Sequence, residues 1–400
     1  EVRMAVPPDS VTFSESAGLT TFPYGLESKV WLDLYRDFWT SVFSKFWRVR
    51  ALRRTWHELW EESDRCWALM NTALTPIADG ADLLVSGQSY QETAANVAEC
   101  FNVPFATLYH VPIRPNGQAI SALPAPLSRG MMTAFEWFAW PLNKKVEDAQ
   151  RRQLGLPKAK SPSMRRITKR GSLEIQAYDE ICFPGLAREW AKWGDRRPFV
   201  GSLTMELSTA ADDEVAPWIA AGKPPICFGF GSMPVESPAE TVDMIGSACA
   251  ELGERALVCA GWSDFRDVAL AEHVKVVGAV NYATVFPACR AVVHHGGSGT
   301  TAASLRAGVP TLILSMDANQ AVWGAQLKKL GVGTARRFSA TDRDSLVADL
   351  RQILVPDYAV RARKIAAEMS TPEQSRMKAA DAAEHYAKLR LAPNRQQWAN

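Results

Sequence analysis

The chain has 400 residues, of which 47% are hydrophobic and 22% are charged. This length exceeds what one hydrophobic core usually organises, so the sequence predicts two globular domains and excludes a disordered or fibrous protein. Its 45 Lys and Arg against 43 Asp and Glu leave a formal charge of +2, a balance that does not indicate nucleic acid as a partner. Seven scattered cysteines without CxxC spacing are typical of a reduced, cytosolic chain, and no apolar run reaches the length that spans a membrane.

The first half predicts an α/β domain over residues 1–203. Its elements are expected, in chain order, as a strand at 2–6, a short helix at 9–18, one long or two shorter helices within 29–72, a strand at 82–87, a helix at 91–101, a strand at 104–111 and a helix at 131–154. The basic stretch 157–172 contains Pro, Ser and Gly and is expected to be an exposed loop. Because the sequence begins at Glu1 without an initiator Met, we expect a segment upstream of it.

The second half predicts a doubly wound parallel sheet, because short apolar strands alternate with helices. A linker is expected at 204–221 and a domain at 222–370, followed by a C-terminal helix within 371–400 that crosses back to the first domain. Strands are expected at 226–230, 256–260, 274–278, 291–295 and 311–315, and helices at 238–252, 282–288, 300–307 and 319–330. Ligands of such sheets bind at the carboxyl ends of the strands.

The strongest local signal is the run VVHHGGSGTT at 292–301, which leads from a buried strand through a glycine-rich turn into a helix. Glycines let the backbone approach a ligand closely, and the first N–H groups of the helix, at Gly299, Thr300 and Thr301, are expected to be unpaired. Together with the helix dipole they favour an anion. The pattern predicts a diphosphate site, although it matches neither the Walker A motif nor the usual GxGxxG fingerprint.

An alternative is that these glycines only make a tight turn at the end of the strand. Two further polar loops follow strands of the same sheet, GFGS at 229–232 and DANQ at 317–320. Parallel strands gather their carboxyl ends at one edge of a sheet, so the three loops are expected to converge. That convergence favours a ligand site over a purely structural turn.

Five motifs of the second half resemble those of the GT-B nucleotide-sugar glycosyltransferases of family 1: FGFGS, AGW at 260–262, VVHHGGSGTT, RAGVP at 306–310 and NQAVWGAQL at 319–327. The likeness is greatest to bacterial antibiotic and actinobacterial glycopeptidolipid glycosyltransferases. In the first half, VRMAVPPD, DLLVSGQSYQE at 82–92 and TLYHVPIRPNG at 107–117 resemble the same family. The resemblance implies a GT-B fold, in which two Rossmann-like parallel-sheet domains face a cleft.

The resemblance also implies the donor-binding residues. They are Gly231, Ser232, Val280, Asn281, His295, Gly297, Ser298, Gly299, Thr300, Thr301, Asn319 and Gln320. His295 is expected to contact the donor diphosphate, with the start of the following helix supplying further donors. Residues 231–232 would cover the phosphates, and residues 280–281 would meet the base.

Two positions are expected to hold the sugar. Gln320 matches the family's glutamine that binds sugar hydroxyls, and the residue before it is usually Asp. This chain has Asn319 there, which keeps hydrogen bonding but loses a charge-assisted acceptor. The sugar preference of the chain is therefore left open.

The reaction that the resemblance implies is an inverting displacement at the anomeric carbon, without an obligatory metal or cofactor. A hexose or deoxyhexose would move from a UDP or dTDP sugar to a hydroxyl of a hydrophobic acceptor of glycolipid, glycopeptidolipid or polyketide type, with His295 stabilising the leaving diphosphate.

The family's general base follows the first strand of its N-terminal domain, which is expected upstream of Glu1. His110 is a candidate for the acceptor pocket, and a structural role for it stays open.

Two other functions stay open at the level of sequence. One is a non-catalytic nucleotide-sugar-binding protein or an inactive truncated transferase, which would bind donor without transferring sugar. The other is a nicotinamide-dependent oxidoreductase, which the missing GxGxxG after the first strand disfavours.

The segment 31–67 is rich in aromatic and basic residues, with six of the 14 tryptophans. Two interpretations of this stretch stay open. It is either an aromatic core face backed by a solvated basic face, which is favoured, or a surface that docks a lipid acceptor or rests on the anionic inner face of a membrane.

Overall fold

The computed structural model describes residues 1–30, 49–120, 123–231, 235, 237–261, 263 and 270–391. The chain is an α/β protein, and the described strands pair with their neighbours in parallel. The strands are β1 (Arg3–Val6), β2 (Thr20–Pro23), β3 (Leu84–Gly87), β4 (Phe105–Tyr109), β5 (Leu173–Gln176), β6 (Ile226–Gly229), β7 (Ala256–Cys259), β8 (Val274–Val277), β9 (Ala291–His294), β10 (Thr311–Ser315) and β11 (Gly333–Arg337).

Helices cover these strands and make up most of the remaining described chain. They are α1 (Val11–Ser16), α2 (Val49–Ala78), α3 (Gln91–Cys100), α4 (Ala125–Gln153), α5 (Ser163–Lys169), α6 (Leu186–Trp190), α7 (Asp212–Ala220), α8 (Pro238–Leu252), α9 (Tyr282–Val285), α10 (Ser298–Arg306), α11 (Ala318–Leu330), α12 (Arg343–Ile353), α13 (Pro356–Glu368) and α14 (Pro372–Leu391).

The second half forms a six-stranded sheet in the order β11-β10-β9-β6-β7-β8. Successive residues of a strand point to opposite faces, and here both faces are buried: Phe228 and Val293 pack in one apolar cluster, and Cys227 and Val292 pack in another. Counted within this half, the strand order is the 3-2-1-4-5-6 order of doubly wound nucleotide-binding folds. The predicted doubly wound parallel sheet is therefore confirmed, with β11 as an edge strand that the sequence did not indicate.

The first half contains a three-stranded sheet, β3-β4-β5, and a separate pair, β1-β2. The prediction of a loop over 157–172 is wrong, because α5 lies within it. Ser163 and Ile167, one turn apart, are buried, and Arg166 forms an ion pair with the buried carboxylate of Glu147. This basic stretch therefore forms a helix with one buried side, and its charged residues lie on the other sides or in ion pairs.

The two halves share a buried aromatic contact. Tyr178 and Phe183 pack edge-on against Trp323 of α11, with the ring centroids of Phe183 and Trp323 5.1 Å apart. The last helix, α14, packs against β5, and the hydroxyl of Tyr386 donates to the carbonyl of Gly171 at 3.2 Å. The chain thus passes between the halves twice, near residues 202–204 and near residues 369–372.

No helix among the described residues is long and apolar enough to cross a bilayer. The Trp-rich surface expected at 31–67 lies mostly outside the described side chains. Trp67, which is described, is buried beside Tyr90 with the ring centroids 6.5 Å apart. At this position the side chain is part of the core.

Candidate active site

Two loops meet where the order of the six-stranded sheet reverses, between β6 and β9. β6 ends at Gly229 and β9 ends at His294, and the two residues are partners in the parallel register. The chain continues from β6 to Gly231 and from β9 to His295. Ligand crevices of open parallel sheets form at such a reversal, beyond the carboxyl ends of the strands.

The imidazole of His295 lies between two glycines. A Cβ at Gly231 would come within 2.7 Å of its Cε1, and a Cβ at Gly297 within 2.5 Å of its Nε2. His295 is 7% exposed, and its Nδ1 has no hydrogen-bond partner among the described residues. Because buried polar atoms are rarely left unpaired, this nitrogen indicates a place for a ligand or a water molecule.

The protonation state of His295 follows from its surroundings. Burial lowers its pKa, and the nearby backbone of Gly229 and the carboxylate of Asp317 offset part of that effect. The resulting pKa lies below the ordinary value of 6.5. At pH 7 the ring is therefore neutral and offers one N–H donor.

The site formed by Gly231, His295 and Gly297 is called the cradle below. A backbone contact from the loop after β7 closes one side of it. Gly261 has a φ of +57°, and a Cβ there would overlap the carbonyl oxygen of Gly231. Only glycine combines this left-handed conformation with so close an approach. The AGW motif that contains Gly261 contributed to the family resemblance, but its packing against Gly231 was not predicted.

The helix that follows His295 begins earlier than predicted. α10 starts at Ser298 with Gly297 as its N-cap, and the N–H of Thr301 donates to the carbonyl of Gly297 at 2.9 Å. The prediction that this N–H is unpaired is wrong, because Thr301 is the fourth residue of the helix and its N–H closes the first turn. Among the described residues, the unpaired N–H groups at the helix start are those of Ser298, Gly299 and Thr300.

The hydroxyl of Thr301 is also engaged. It donates to the carbonyl of Gly297 at 2.8 Å, and the side chain is fully buried. The donors that this helix offers to an anion are therefore backbone groups, aided by the helix dipole.

His294 has a different role from its neighbour. Its Nδ1 accepts a hydrogen bond of 2.9 Å from the N–H of Gly296, which fixes the turn after β9. The side chain is completely buried, and burial, with a smaller contribution from His295, lowers its pKa well below 6.5. His294 thus supports the turn from inside the fold.

The loop after β10 reaches the same site through Gln320. A Cβ at Gly296, which has a φ of +98°, would lie 3.0 Å from the Cβ of Gln320. Asp317 and Gln320 form a capping box at the start of α11: Asp317 Oδ1 accepts from the N–H of Gln320 at 2.9 Å, and Gln320 Oε1 accepts from the N–H of Asp317 at 3.2 Å. The same Oε1 also accepts from the N–H of Met316 at 2.6 Å. The amide oxygen of Gln320 is therefore occupied, and Asn319 beside it is exposed.

The segment expected to meet the base is held by α7. The N–H of Asn281 donates to Asp212 Oδ1 at 2.8 Å, and the hydroxyl of Thr209 donates to the carbonyl of Ala279 at 2.8 Å. Val280 is buried between them, and the Asn281 side chain caps α9. The acidic stretch that contains Asp212 was interpreted only as part of a linker, so its positioning role was not predicted.

Two other expected site residues are placed as follows. Ser232 lies outside the described residues, next to Gly231. His110 follows β4 in the first half, where burial lowers the pKa of its imidazole and its backbone N–H donates to Gln88 Oε1 at 3.1 Å. It thus stands at the carboxyl end of a strand of the other sheet.

The α/β fold with its parallel sheets is that of the GT-B glycosyltransferases. A family model for the erythromycin biosynthesis protein CIII-like C-terminal domain matches residues 231–383. An uncharacterised glycosyltransferase of Mycobacterium leprae is 56% identical over 397 residues, which cover 99% of this chain and 93% of that protein. The chain therefore belongs to this glycosyltransferase family, and it is an enzyme of that class.

More distant matches agree with the fold. A sterol 3-beta-glucosyltransferase of Arabidopsis thaliana is 29% identical over 285 residues, 68% of this chain and 45% of that protein. The glycotransferase of kitacinnamycin has a TM-score of 0.69 at 16% identity, over 97% of this chain and 92% of that one. Glycosyltransferase VinC, solved with dTDP, has a TM-score of 0.62 at 16% identity, over 96% and 92% of the two chains.

Proposed function

We propose that this glycosyltransferase moves a hexose or deoxyhexose from a nucleoside-diphosphate sugar to a hydroxyl of a hydrophobic acceptor, with inversion at the anomeric carbon. The observation that carries the proposal is the buried imidazole of His295, held between Gly231 and Gly297 at the start of α10. One neutral side-chain donor and three unpaired backbone N–H groups follow one another at the end of β9 and the start of α10, where a diphosphate would bind.

The chemistry follows from where charge develops. The acceptor oxygen would bond to the anomeric carbon as the bond from that carbon to the diphosphate oxygen breaks, and the acceptor proton would pass to a general base. Negative charge then grows on the departing diphosphate. Neutral donors at His295, Ser298, Gly299 and Thr300 would stabilise that charge without having to reorganise.

The donor nucleotide is proposed as UDP or dTDP. Val280 and Asn281 would meet the base, because α7 fixes this segment beside the sheet edge. The complex of VinC with dTDP supports a nucleoside diphosphate in a related fold. Ser232 would extend the cover over the phosphates.

Sugar and acceptor contacts are proposed on either side of the diphosphate. Gln320 would use its amide N–H groups for the sugar, since its oxygen caps α11, and the exposed amide of Asn319 would contact a second hydroxyl. His110 would line the acceptor pocket. The sterol specificity in the name of the Arabidopsis relative supports a hydrophobic acceptor.

Thermal unfolding with UDP, dTDP, ADP, their sugar conjugates and inorganic pyrophosphate tests the proposal. A ligand that binds only the folded state raises the apparent stability, so UDP or dTDP should raise Tm and His295→Ala should abolish most of that rise. His385→Ala, on the exposed surface of α14, is the matched control and should behave as the native protein does. If both variants responded equally to UDP or dTDP, the proposal that the nucleotide diphosphate binds at His295 would be refuted.

Product analysis then separates a transferase from a binding protein. A nucleotide sugar that binds and is released intact in the presence of hydrophobic alcohols would identify the non-catalytic alternative. Transfer with retained anomeric configuration would refute inversion.

A further inference from the structure

The helix α4 carries an apolar stripe that no described part of the chain covers. The five side chains of this stripe are exposed, with Phe138 at 81% and Phe135 at 70%. They are Leu127, Met131, Phe135, Phe138 and Leu142. Exposed apolar side chains are ordinary when scattered, but these five follow one another at helical spacing.

The spacing gathers the stripe on one side of the helix. Steps of four, four, three and four residues at about 100° per residue keep all five side chains within roughly 80° of the circumference. Trp137, which is also exposed, stands beside the stripe and packs against Trp140 with ring centroids 5.8 Å apart. The surface is therefore a narrow band that could lie flat on another surface.

Towards the C-terminal end of α4, the side of the helix that carries the stripe bears basic residues. At about 100° per residue, Lys145 and Arg152 fall on or next to the line of the stripe, and both are exposed. The three acidic residues of α4 fall outside the line of the stripe and are engaged: Glu136 pairs with Arg165, Glu147 with Arg166 and Asp148 with Lys144. No carboxylate of α4 therefore lies within the stripe.

The sequence segment that contains α4 and α5 is more basic than the whole chain, although Glu99 and Glu189 pair with some of its cations. From the start of α4 to Arg170 there are 11 Lys and Arg against 3 Asp and Glu, whereas the chain as a whole carries only +2. Exposed lysines of α5 and of the connection before it are further cations of this segment. They are Lys158, Lys160 and Lys169, whereas Arg165 and Arg170 are paired with Glu136 and Glu99.

We propose that the α4 stripe docks on an anionic lipid surface, with Phe135 and Phe138 entering the interface and Lys145 and Arg152 bound to the headgroups. A helix with an apolar face and flanking cations lies in the plane of a bilayer surface, where apolar burial and attraction to anionic lipid add together. The local excess of positive charge favours a lipid surface over a second copy of this chain, because two copies would bring like charges together. The surface is separate from the donor cradle, so its test does not depend on the proposed function.

Co-sedimentation with vesicles tests the proposal. The native protein should bind mixed phosphatidylglycerol–phosphatidylcholine vesicles at low salt and bind phosphatidylcholine vesicles at least about tenfold more weakly. Phe135→Asp with Phe138→Asp should lower binding to anionic vesicles at least about tenfold. Leu389→Asp, at an exposed apolar position of α14, is the matched control and should leave binding unchanged.

Charge reversal separates the two contributions. Lys145→Glu with Arg152→Glu should weaken vesicle binding, whereas Lys364→Glu with Arg376→Glu, the same change in net charge at exposed positions of α13 and α14, should weaken it much less. Each variant is shown to be folded if UDP or dTDP still raises its Tm. If neither nucleotide binds the native protein, a Tm equal to that of the native protein serves instead.

Two results would overturn the proposal. One is that native protein stays in solution with anionic vesicles, or binds neutral and anionic vesicles equally. The other is that sedimentation shows a dimer that Phe135→Asp with Phe138→Asp dissociates while vesicle binding is unaffected, which would assign the stripe to a second copy of the chain.

Discussion

Arg306 donates a hydrogen bond of 2.7 Å from its Nη1 to the hydroxyl of Thr204. This bond ties the last residue of α10, whose first residue lies at the proposed donor site, to the segment that joins the two halves. The same guanidinium donates to the carbonyls of Ser202, at 2.8 Å, and Ser370, at 2.9 Å. One side chain therefore holds both passages of the chain against the end of α10.

Arg306→Lys should lower the free energy of unfolding by roughly 2 kcal/mol, because an ammonium keeps the charge but cannot span these three acceptors. Urea denaturation measures the change. Arg363→Lys, at an exposed position of α13, is the control and should change stability little. An equal effect of the two variants would mean that the Arg306 contacts add no stability.

His295→Ala should reduce the rate of sugar transfer by about a hundredfold or more, because it removes a positioned donor to charge that develops on the diphosphate. Initial rates at saturating donor measure this in the full-length protein. His385→Ala should keep the native rate. A His295→Ala rate within about threefold of the native one would remove this residue from the mechanism.

Gly261→Ala should disturb the cradle, whereas Gly253→Ala should not. Both glycines have a positive φ, +57° and +63°, so both variants carry the same conformational cost of roughly 1–2 kcal/mol. Only at Gly261 would the new Cβ overlap a neighbour, the carbonyl oxygen of Gly231; at Gly253 the space is open. Titration calorimetry with UDP or dTDP should therefore show weaker binding for Gly261→Ala alone, and equal affinities would refute the contact.

The stability of the protein should fall as the pH drops below about 6.5, because His294, His295 and His110 have lowered pKa values in the folded state and take up protons more readily when unfolded. Each such group costs up to about 1.4 kcal/mol per pH unit between 6.5 and its folded pKa. Denaturation midpoints at pH 7.5 and 5.5 measure the slope. His294→Asn, whose Oδ1 replaces the acceptor Nδ1, should flatten it; an unchanged slope would show that His294 does not contribute.

Asn319→Asp should alter the choice of sugar donor while leaving the affinity for the free nucleoside diphosphate within about threefold, because the exposed side chain is placed beside the sugar. Competition of nucleotide sugars against UDP or dTDP measures both quantities. A large change in affinity for the free diphosphate would place this loop against the phosphates instead.

Four strands of the second half, β6, β7, β9 and β10, could be predicted from the sequence because each is short and buried on both faces. β11 could not, because its later residues Arg336 and Arg337 are polar and only its first residues are buried. Arg336 is held there by an ion pair of 2.6 Å with Asp349 of α12, a contact between residues that no local pattern relates.

The cradle could be located from its glycines and histidines, but its inner contacts could not. The pairing of Gly229 with His294 depends on which strands become neighbours, and the approach of Gly261 to Gly231 depends on two loops that are thirty residues apart in sequence. The start of α10 was misplaced because Ser298 is a moderate helix former and Gly299 a poor one. In the fold, the buried Thr301 side chain secures that first turn.

The two passages of the chain between the halves lie side by side, although about 170 residues separate them in sequence. Asp179 joins them as Arg306 does, since its carboxylate accepts from the N–H of Ser370 at 2.7 Å and from the N–H of Ser202 at 3.4 Å. The nine residues of α10 lead from these contacts to Ser298 and Gly297 over about 13 Å. A substitution at either charged side chain would therefore act on the glycine-rich turn through the position of one short helix.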